Sequence, residues 1–287
     1  MNDYLIVTDS SCDLTADFAE QLGIKVIKLE FIVEGEEARD NDGIDEKQFY
    51  DILRSGKMVT TSAVAMDRFI SEVEPVLADG KDVLYLGFSS GLSSTYSAGF
   101  VGAQELSEKY PDRKIYTVDT LAASMGQGLL VWYAVNMQKA GKSIEEVRDF
   151  IENNKLNLAH WFTVNDLFFL KRGGRVSAAT ALVGTMLSIK PVMHVDDEGH
   201  LIKVTTARGR KAAINSLFEK AKETAIDAAG QTMFISHGDC IEDAEYLAAK
   251  LKDELGVKEV IISYVGPVIG AHSGPGTLAL FFIGTNR

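Results

Sequence analysis

Cysteine is scarce in this 287-residue sequence, and its two cysteines lie far apart. Cys12 and Cys240 form no C-x-x-C pair and have no histidine at the spacing of a metal ligand. Disulfide frameworks and zinc sites need several such residues at short, regular spacings. We therefore expect two reduced thiols, no bound metal and a cytoplasmic location.

Positive charge is scarce as well, because 29 Lys and Arg residues stand against 41 Asp and Glu, for a formal net charge of −12. Nucleic acids and anionic membranes attract proteins through a basic surface. The composition therefore argues against nucleic acid as a partner and against stable membrane insertion. No basic segment precedes the first apolar run, so we also expect no secretory signal.

The range 260–286 lacks Asp, Glu, Lys and Arg altogether and has the length of a membrane span. It is interrupted by residues that break helices, namely Pro267, Gly270, Gly274, Pro275 and Gly276. Proline and glycine at this density favour turns over one continuous helix. The pattern predicts two buried strands around a loop.

The first half of the chain alternates strand-length apolar runs with helix-like amphipathic segments. The apolar runs are Tyr4–Thr8, Ile24–Val33, Val83–Phe88 and Lys114–Val118. This alternation predicts an α/β fold, with a parallel layer domain over residues 1–158. A second α/β domain with a mixed sheet is predicted over residues 159–287, where strands flank a hairpin turn at 196–199 and the nearly uncharged range 178–189 is compatible with a helix.

One strand of this pattern leads into a loop rich in hydroxyl groups, in the sequence VLYLGFSSGLSSTYS at 83–97. The hydroxyls belong to Ser89, Ser90, Ser93, Ser94 and Thr95. In parallel sheets, ligands bind beyond the carboxyl ends of the strands. The sequence therefore predicts a hydroxyl-lined binding loop directly after this strand.

The same loop contains Gly87-Phe88-Ser89-Ser90-Gly91, which matches the G-x-S-x-G nucleophile elbow of serine hydrolases. A hydrolase using Ser89 is therefore the alternative function. Its acid would come from Asp119 or Asp239, and its base from His237 or His272. Five-residue motifs arise easily by chance in loops rich in Ser and Gly.

Nucleotide-binding motifs are incomplete. Gly141-Lys142-Ser143 resembles the end of a P-loop, but Asn136 occupies the position of its first glycine. No G-x-G-x-x-G follows the first predicted strand. We expect no nucleotide cofactor.

His272 lies among glycines that allow a backbone to approach a ligand closely. From the residues alone, two roles for His272 are equally plausible: it contacts a ligand, or it is a loop residue whose hydrogen bonds are made within the protein.

Seven short motifs, taken together and in order, closely resemble the DegV family over nearly the whole chain. They are Thr8-Asp9-Ser10, Thr61-Ser62, Ser-Ser-x-Leu-Ser-x-Thr at 89–95, Val118-Asp119-Thr120, Leu170-Lys171-Arg172-Gly173-Gly174-Arg175, Lys190-Pro191 and Gly270-Ala271-His272-x-Gly-Pro-Gly.

The resemblance implies a long-chain fatty acid, such as palmitate, held between the two domains without any cofactor. By motif match, Thr61, Ser93 and His272 correspond to the residues that bind its carboxylate, so no catalytic residue is expected. Further head-group contacts are expected from the same loops, at Ser62, Ser94 and Thr95. Several members carry the lipid for a bacterial fatty acid kinase, in which a separate ATP-binding subunit makes acyl phosphate. Arg172 resembles the residue with which such carriers dock on that subunit.

The chemistry of a bound fatty acid fits these residues. Two hydroxyls and an imidazole satisfy a carboxyl group without a cation. A tail of about fifteen carbons offers on the order of 12 kcal/mol, at about 0.8 kcal/mol per buried methylene, before ordering and association costs. Residues expected to line the tail are Phe168, Phe169, Leu182, Met186, Ile189 and Met193. By residue type alone, each of them is more typical of an ordinary core. A purely structural or regulatory interaction module is a third interpretation of the protein.

Overall fold

The computed structural model describes residues 3–177 and 188–287, and the structural statements below concern those residues. The strands are β1 (Tyr4–Asp9), β2 (Lys25–Ile27), β3 (Glu30–Val33), β4 (Ala38–Asp40), β5 (Val59–Ser62), β6 (Asp82–Gly87), β7 (Ile115–Asp119), β8 (Leu158–Thr163), β9 (Ile189–Val195), β10 (Leu201–Arg208), β11 (Thr232–His237), β12 (Glu259–Tyr264) and β13 (Leu278–Ile283). The α-helices are α1 (Ala16–Leu22), α2 (Glu46–Arg54), α3 (Met66–Ala78), α4 (Thr95–Lys109), α5 (Met125–Lys139), α6 (Ile144–Asn154), α7 (Phe168–Arg172), α8 (Arg210–Thr224), α9 (Ile241–Leu255) and α10 (Pro267–Ser273).

Two main sheets organise the chain. The first is parallel, with strand order β2-β1-β6-β7, and the second has six strands in the order β10-β9-β8-β13-β11-β12. In the second sheet β11 and β12 are parallel and the other neighbours are antiparallel. The predicted fold class, a parallel α/β part followed by a mixed-sheet part, is confirmed. The division into residues 1–158 and 159–287 stays a prediction.

Helix α5 lies between the two sheets and contacts strands of both. Its residues from Met125 to Val131 are all buried, which suits a helix that is apolar around most of its circumference. The opposite face of the six-stranded sheet is covered by α8 and α9, whose buried side chains include Leu217 and Leu247. The face of this sheet that looks towards α5 is the one that borders the site described below.

The predicted single strand Ile24–Val33 is two strands in the structure. β2 joins the parallel sheet, whereas β3 pairs with β4 and β5 in a small antiparallel sheet. The break falls at Leu29, whose backbone N–H donates to the Ser10 hydroxyl at 2.9 Å instead of to a neighbouring strand. Continuous hydrophobicity could not reveal this break, because it depends on a side chain from another loop. The small sheet is what places β5, and with it Thr61, beside the hydroxyl-rich loop.

The uncharged range near the carboxyl end contains the two predicted strands, β12 and β13, but a short helix, α10, joins them. Pro267 occupies the start of this helix, where a missing N–H costs nothing, and Gly274 ends it at φ 78°. In residues 3–177 and 188–287, no helix is long and apolar enough to cross a membrane. Most of the helix-compatible range 178–189, including Leu182 and Met186, lies outside the described residues.

Candidate functional site

Asp9, at the carboxyl end of β1, anchors the loop that follows β6. Its carboxylate accepts hydrogen bonds from the Tyr85 hydroxyl and the Phe88 backbone N–H, both at 2.9 Å, and from the Ser11 hydroxyl. Asp9 is fully buried, and burial raises its pKa while these hydrogen bonds oppose the rise. The carboxylate therefore holds the start of the hydroxyl-rich loop in a fixed position.

A cavity of about 140 Å³ lies between this loop, β5, α10 and the sheet face that looks towards α5. Most of its wall is apolar. The apolar side chains are Leu29, Ala63, Phe88, Leu92, Ala123, Phe162, Leu170, Leu201, Val265, Val268, Ile269 and Ala279. This surface comes from both halves of the chain, so the cavity exists only when the two sheets are docked through α5.

Thr61 and His272 meet on the wall of this cavity. The Thr61 hydroxyl lies 2.8 Å from His272 Nε2, and either group donates according to the tautomer of the imidazole. Burial, together with the nearby charges of Arg175 and Arg172, lowers the pKa of His272 to about 4. The imidazole is therefore neutral near pH 7, so that one ring nitrogen donates a hydrogen bond and the other accepts one.

Ser93 reaches the same cavity from the loop before α4. Its hydroxyl lies 2.9 Å from that of Thr95 and accepts a hydrogen bond from the Thr95 N–H at 3.2 Å. The Thr95 hydroxyl in turn accepts from the Val64 N–H at 3.2 Å, which ties this loop to the chain after β5. Ser62 and Ser94 also line the cavity, whereas Thr95 is buried behind the wall and acts through Ser93.

The polar residues mark the end of the cavity that meets solvent. Thr61, Ser93 and His272 are half-buried, and Ser94 is exposed. Most of the apolar wall is buried, as at Val268, which is 3% exposed. The cavity thus has a polar mouth and a mainly apolar interior.

Arg175 is a residue of the mouth that sequence reasoning missed. It lines the cavity, and its guanidinium donates to the Leu92 carbonyl from Nε at 3.1 Å and from Nη2 at 2.9 Å. Burial lowers its pKa, but an arginine remains charged near neutral pH. The site therefore includes a cation, contrary to the interpretation that hydroxyls and an imidazole act without one. An arginine directly after the double glycine at 173–174 was the available signal.

Gly173, at the end of α7, sets the position of the His272 ring. A β-carbon at Gly173 would overlap His272 Nδ1. Only a residue without a side chain lets the turn after α7 pack against the imidazole.

Four of the residues predicted to line the tail lie outside the wall of this cavity, and the other two, Leu182 and Met186, lie outside the described residues. The Phe168 side chain is 50% exposed, and the ring of Phe169 lies under the Arg172 guanidinium, 4.8 Å from its carbon. The buried side of α7 is occupied by Leu170 instead. Ile189 is half-buried on β9, and Met193 is buried in the core beside α5. Of the described residues, the cavity wall includes none of these four.

Ser89 is positioned by backbone groups. It is fully buried, and its hydroxyl donates to the Gly199 carbonyl at 2.9 Å and accepts from the Gly91 N–H at 3.2 Å. In a catalytic triad the serine hydroxyl donates to a histidine instead. The suggested partners are engaged elsewhere: Asp119 accepts from the Leu121 N–H, His237 accepts from the Cys240 N–H, Asp239 pairs with Arg54, and His272 contacts Thr61. This geometry argues against the hydrolase alternative.

Arg172 and the two cysteines complete the predicted residues. Arg172 is exposed at the end of α7. Its charge contributes to the lowered pKa of His272, which places it near the mouth of the cavity. Cys12 is buried and Cys240 half-buried, and both are free thiols. Across 3–177 and 188–287, no cluster of three His, Cys, Asp or Glu side chains is arranged to hold a metal ion.

Comparison with known proteins agrees with this architecture. A family model described as "Uncharacterised protein, DegV family" matches residues 4–285. The chain is 44% identical to a DegV domain-containing protein of Clostridium perfringens over 289 aligned positions, covering 100% of this chain and 99% of that one.

Two solved structures are similar over nearly their whole length. A DegV family protein of Thermus thermophilus, described as binding fatty acid, is 30% identical with a TM-score of 0.87, covering 98% of this chain and 99% of that one. DegV of Bacillus subtilis, described as a fatty acid binding protein, is 28% identical with a TM-score of 0.85 and the same coverage. Given the family match and these likenesses, the chain belongs to the DegV family.

Proposed function

We propose that this protein binds a long-chain fatty acid, with the carboxyl group at the mouth of the cavity and the tail in its apolar interior. The observation that carries the proposal is the convergence of Thr61, Ser93 and His272 at the solvent-facing end of a mainly apolar cavity. The fatty acid binding described for the similar proteins of T. thermophilus and B. subtilis supports it.

The mouth offers suitable chemistry for a carboxylate. The hydroxyls of Thr61 and Ser93 donate to its oxygens, and the neutral imidazole of His272 supplies a further donor from Nε2 or keeps the Thr61 hydroxyl oriented. Arg175 adds a positive charge that favours the ionised form of the acid. Ser62 and Ser94, on the same wall, are further donors within the mouth. Because hydroxyls dominate the contacts, the head group is oriented without being enclosed in a bidentate ion pair.

The affinity comes mainly from the tail. Each methylene moved from water into the apolar interior contributes about 0.8 kcal/mol, so a tail of about fifteen carbons outweighs the few hydrogen bonds to the carboxylate, each worth about 1.5–3 kcal/mol. The polar contacts therefore decide orientation and the apolar wall decides strength.

We further propose that the protein itself is not catalytic and presents the carboxylate to a separate ATP-dependent kinase subunit, which forms acyl phosphate. In that reaction a carboxylate oxygen attacks the γ-phosphorus of ATP and ADP leaves, so the carrier needs only to hold the acid with its head group accessible. The half-buried mouth and the exposed Arg172 beside it support this role. The Arg172 guanidinium lies over the ring of Phe169, a contact that restricts the side chain.

Lipid binding is tested by denaturing mass spectrometry of organic extracts from the purified protein. We expect about one long-chain fatty acid per chain. If no acid is recovered, and delipidated protein takes up no palmitate from solution, the proposed function is wrong.

The kinase role is tested with ATP, hydroxylamine and a purified ATP-binding subunit, by measuring acyl hydroxamate. We expect product only when both proteins are present. Arg172→Glu should lower the rate at least tenfold while its fatty acid content is unchanged. Lys258→Glu, an equal charge change at an exposed residue before β12, is the control and should behave as wild type. An Arg172→Glu protein as active as wild type would contradict the docking role.

A further inference from the structure

The cavity has a second set of polar groups, away from the elements that form its mouth. We call Ser124, His160 and Ser236 the inner polar group, and all three line the cavity. Ser124 precedes α5, while His160 and Ser236 belong to β8 and β11 of the six-stranded sheet. The mouth residues come instead from β5, the hydroxyl-rich loop, the turn after α7 and α10.

The strand register places the inner polar group on one face of the sheet. Ser236 is opposite Ala279, which is opposite Phe162, and residues directly opposite share a face. His160 stands two residues from Phe162 on β8 and therefore faces the same way. This is the face that looks towards α5 and forms the floor of the cavity.

Ser124 and Ser236 are directly linked. Their hydroxyl oxygens lie 2.9 Å apart, and the Ser124 hydroxyl also bonds to the carboxyl group of Asp13. Asp13 is 6% exposed, and its Oδ1 atom has no hydrogen-bond partner. Asp13, Ser124 and Ser236 thus form a hydrogen-bonded chain that ends at the cavity. One oxygen atom of this chain, Asp13 Oδ1, has no partner.

His160 carries an unused ring nitrogen beside this pair. The residue is 4% exposed, and its Nδ1 has no partner. Nδ1 lies against the first turn of α5, since a β-carbon at Gly126 would approach it to 3.4 Å. Burial lowers the pKa of His160 well below its ordinary value, so the ring is neutral and one of its nitrogens accepts a hydrogen bond.

Ser273, at the end of α10, is a further buried polar residue of the cavity wall. It lines the cavity, is 5% exposed, and its hydroxyl has no hydrogen-bond partner. An unsubstituted alkyl tail would leave these buried polar atoms without a hydrogen-bond partner, which is unfavourable. A fully apolar wall would suit such a tail better than the wall that is present.

We propose that the inner polar group, together with Ser273, is a subsite for an oxygen substituent on the acyl chain, so that the protein prefers a hydroxy or oxo long-chain fatty acid over the unsubstituted acid. This inference rests on the proposed fatty acid binding. A chain hydroxyl donates one hydrogen bond and accepts others, which matches a serine hydroxyl beside a neutral imidazole.

The test compares 18-carbon acids by calorimetric titration of delipidated protein. The ligands are stearic acid and a series of monohydroxystearic acids that carry the hydroxyl at successive positions along the chain. In an apolar cavity every added hydroxyl weakens binding about tenfold or more. We expect at least one isomer to bind more tightly than stearic acid.

Variants then locate the effect. At least one of the variants Ser236→Ala and Ser273→Ala should weaken binding of the favoured isomer at least fivefold relative to binding of stearic acid. Thr163→Val is the control, because the Thr163 hydroxyl is also buried without a partner but does not line the cavity. It should leave the ratio unchanged.

The results separate the two proposals. If stearic acid binds but every hydroxy isomer binds more weakly, or if neither serine variant changes the ratio, the subsite does not exist. If no acid of the series binds, the proposed function itself fails.

Discussion

The hydroxyl of Thr61 and the imidazole Nε2 of His272 lie 2.8 Å apart although 211 positions separate them in the sequence. Thr61 stands near the end of β5 and His272 near the end of α10, so the pair joins the small antiparallel sheet to the helix between the last two strands. Three features hold this pair in place: the Val64–Thr95 hydrogen bond, the turn at Gly173 and the burial of α10.

The first prediction concerns Thr61. Thr61→Val keeps the shape of the side chain but removes the hydroxyl, so a bound carboxylate loses a donor worth about 1.5–3 kcal/mol. We expect the affinity for palmitate to fall about ten- to a hundredfold, measured by titration of delipidated protein. Thr60→Val is the control, since Thr60 is exposed on the other face of β5. Equal affinities for the two variants would remove Thr61 from the site.

The second prediction concerns Gly173. In Gly173→Ala the new methyl group overlaps His272 Nδ1, and the imidazole must leave its position beside Thr61. We expect fatty acid affinity to fall at least tenfold while circular dichroism is unchanged. Gly174→Ala is the matched control, because that residue has φ +74° but nothing within 4 Å of an added β-carbon. Gly174→Ala should lower the free energy of unfolding by about 1 kcal/mol and leave binding intact. If Gly173→Ala still binds fatty acid tightly, the imidazole is not held in a fixed position.

The third prediction separates a structural Ser89 from a nucleophile. Ser89→Ala leaves the buried Gly199 carbonyl without the hydroxyl that it accepts from. The free energy of unfolding should fall by about 1–3 kcal/mol, while bound lipid is retained. Ser90→Ala is the control, because Ser90 is exposed, and it should change the free energy of unfolding by less than about 0.5 kcal/mol.

A fluorophosphonate probe completes this test, because it labels activated serines. We expect no covalent adduct on the wild-type protein by intact mass spectrometry. An adduct that is lost in Ser89→Ala would establish the hydrolase alternative.

The fourth prediction is a pH dependence that originates at Asp13. Burial raises its pKa from 3.8 to about 8 in the folded protein. Between these values the folded state binds one proton more than the unfolded state. This group's contribution to stability is therefore complete at low pH and is lost as pH rises to about 8, at up to about 1.4 kcal/mol per pH unit.

Asp13→Asn removes this titration. The free energy of unfolding of wild type minus that of the variant should therefore decrease from pH 5 to pH 8, measured by urea titration at each pH. Asp112→Asn, at an exposed turn position, should show a constant difference from wild type. A constant difference for Asp13→Asn as well would mean that its carboxyl group is ionised throughout.

Local patterns were sufficient for most of the elements. Ser143 with Glu146 forms the capping box that begins α6, and the turn at 196–199 joins β9 and β10 as an antiparallel hairpin. These features depend on residues three to ten positions apart, so they can be recognised in the chain itself. The small antiparallel sheet could not be recognised, because its first strand is separated from β2 by a hydrogen bond to Ser10.

The roles of Phe168 and Arg175 show where such patterns fail for the site. A large apolar residue near a binding motif is a reasonable candidate for a cavity wall, yet Phe168 is half exposed while Leu170 and Arg175 reach the cavity. The face that a five-residue helix turns inward depends on what it packs against, here α10, which is about a hundred residues away in the chain.

The sequence by itself determined the alternation of strands and helices, the absence of a basic surface, and a loop rich in hydroxyls after an interior strand, because composition and short-range periodicity encode them. It favoured Ser93 as a head-group contact, by resemblance, and left Ser89, four residues earlier, as the alternative nucleophile. Only the tertiary structure shows the different surroundings of the two hydroxyls, with Ser89 buried against the Gly199 carbonyl and Ser93 on the wall of a cavity shared with Thr61 and His272. The physical reason is that a hydroxyl's role is set by the partner it meets in space, and here those partners come from distant parts of the chain.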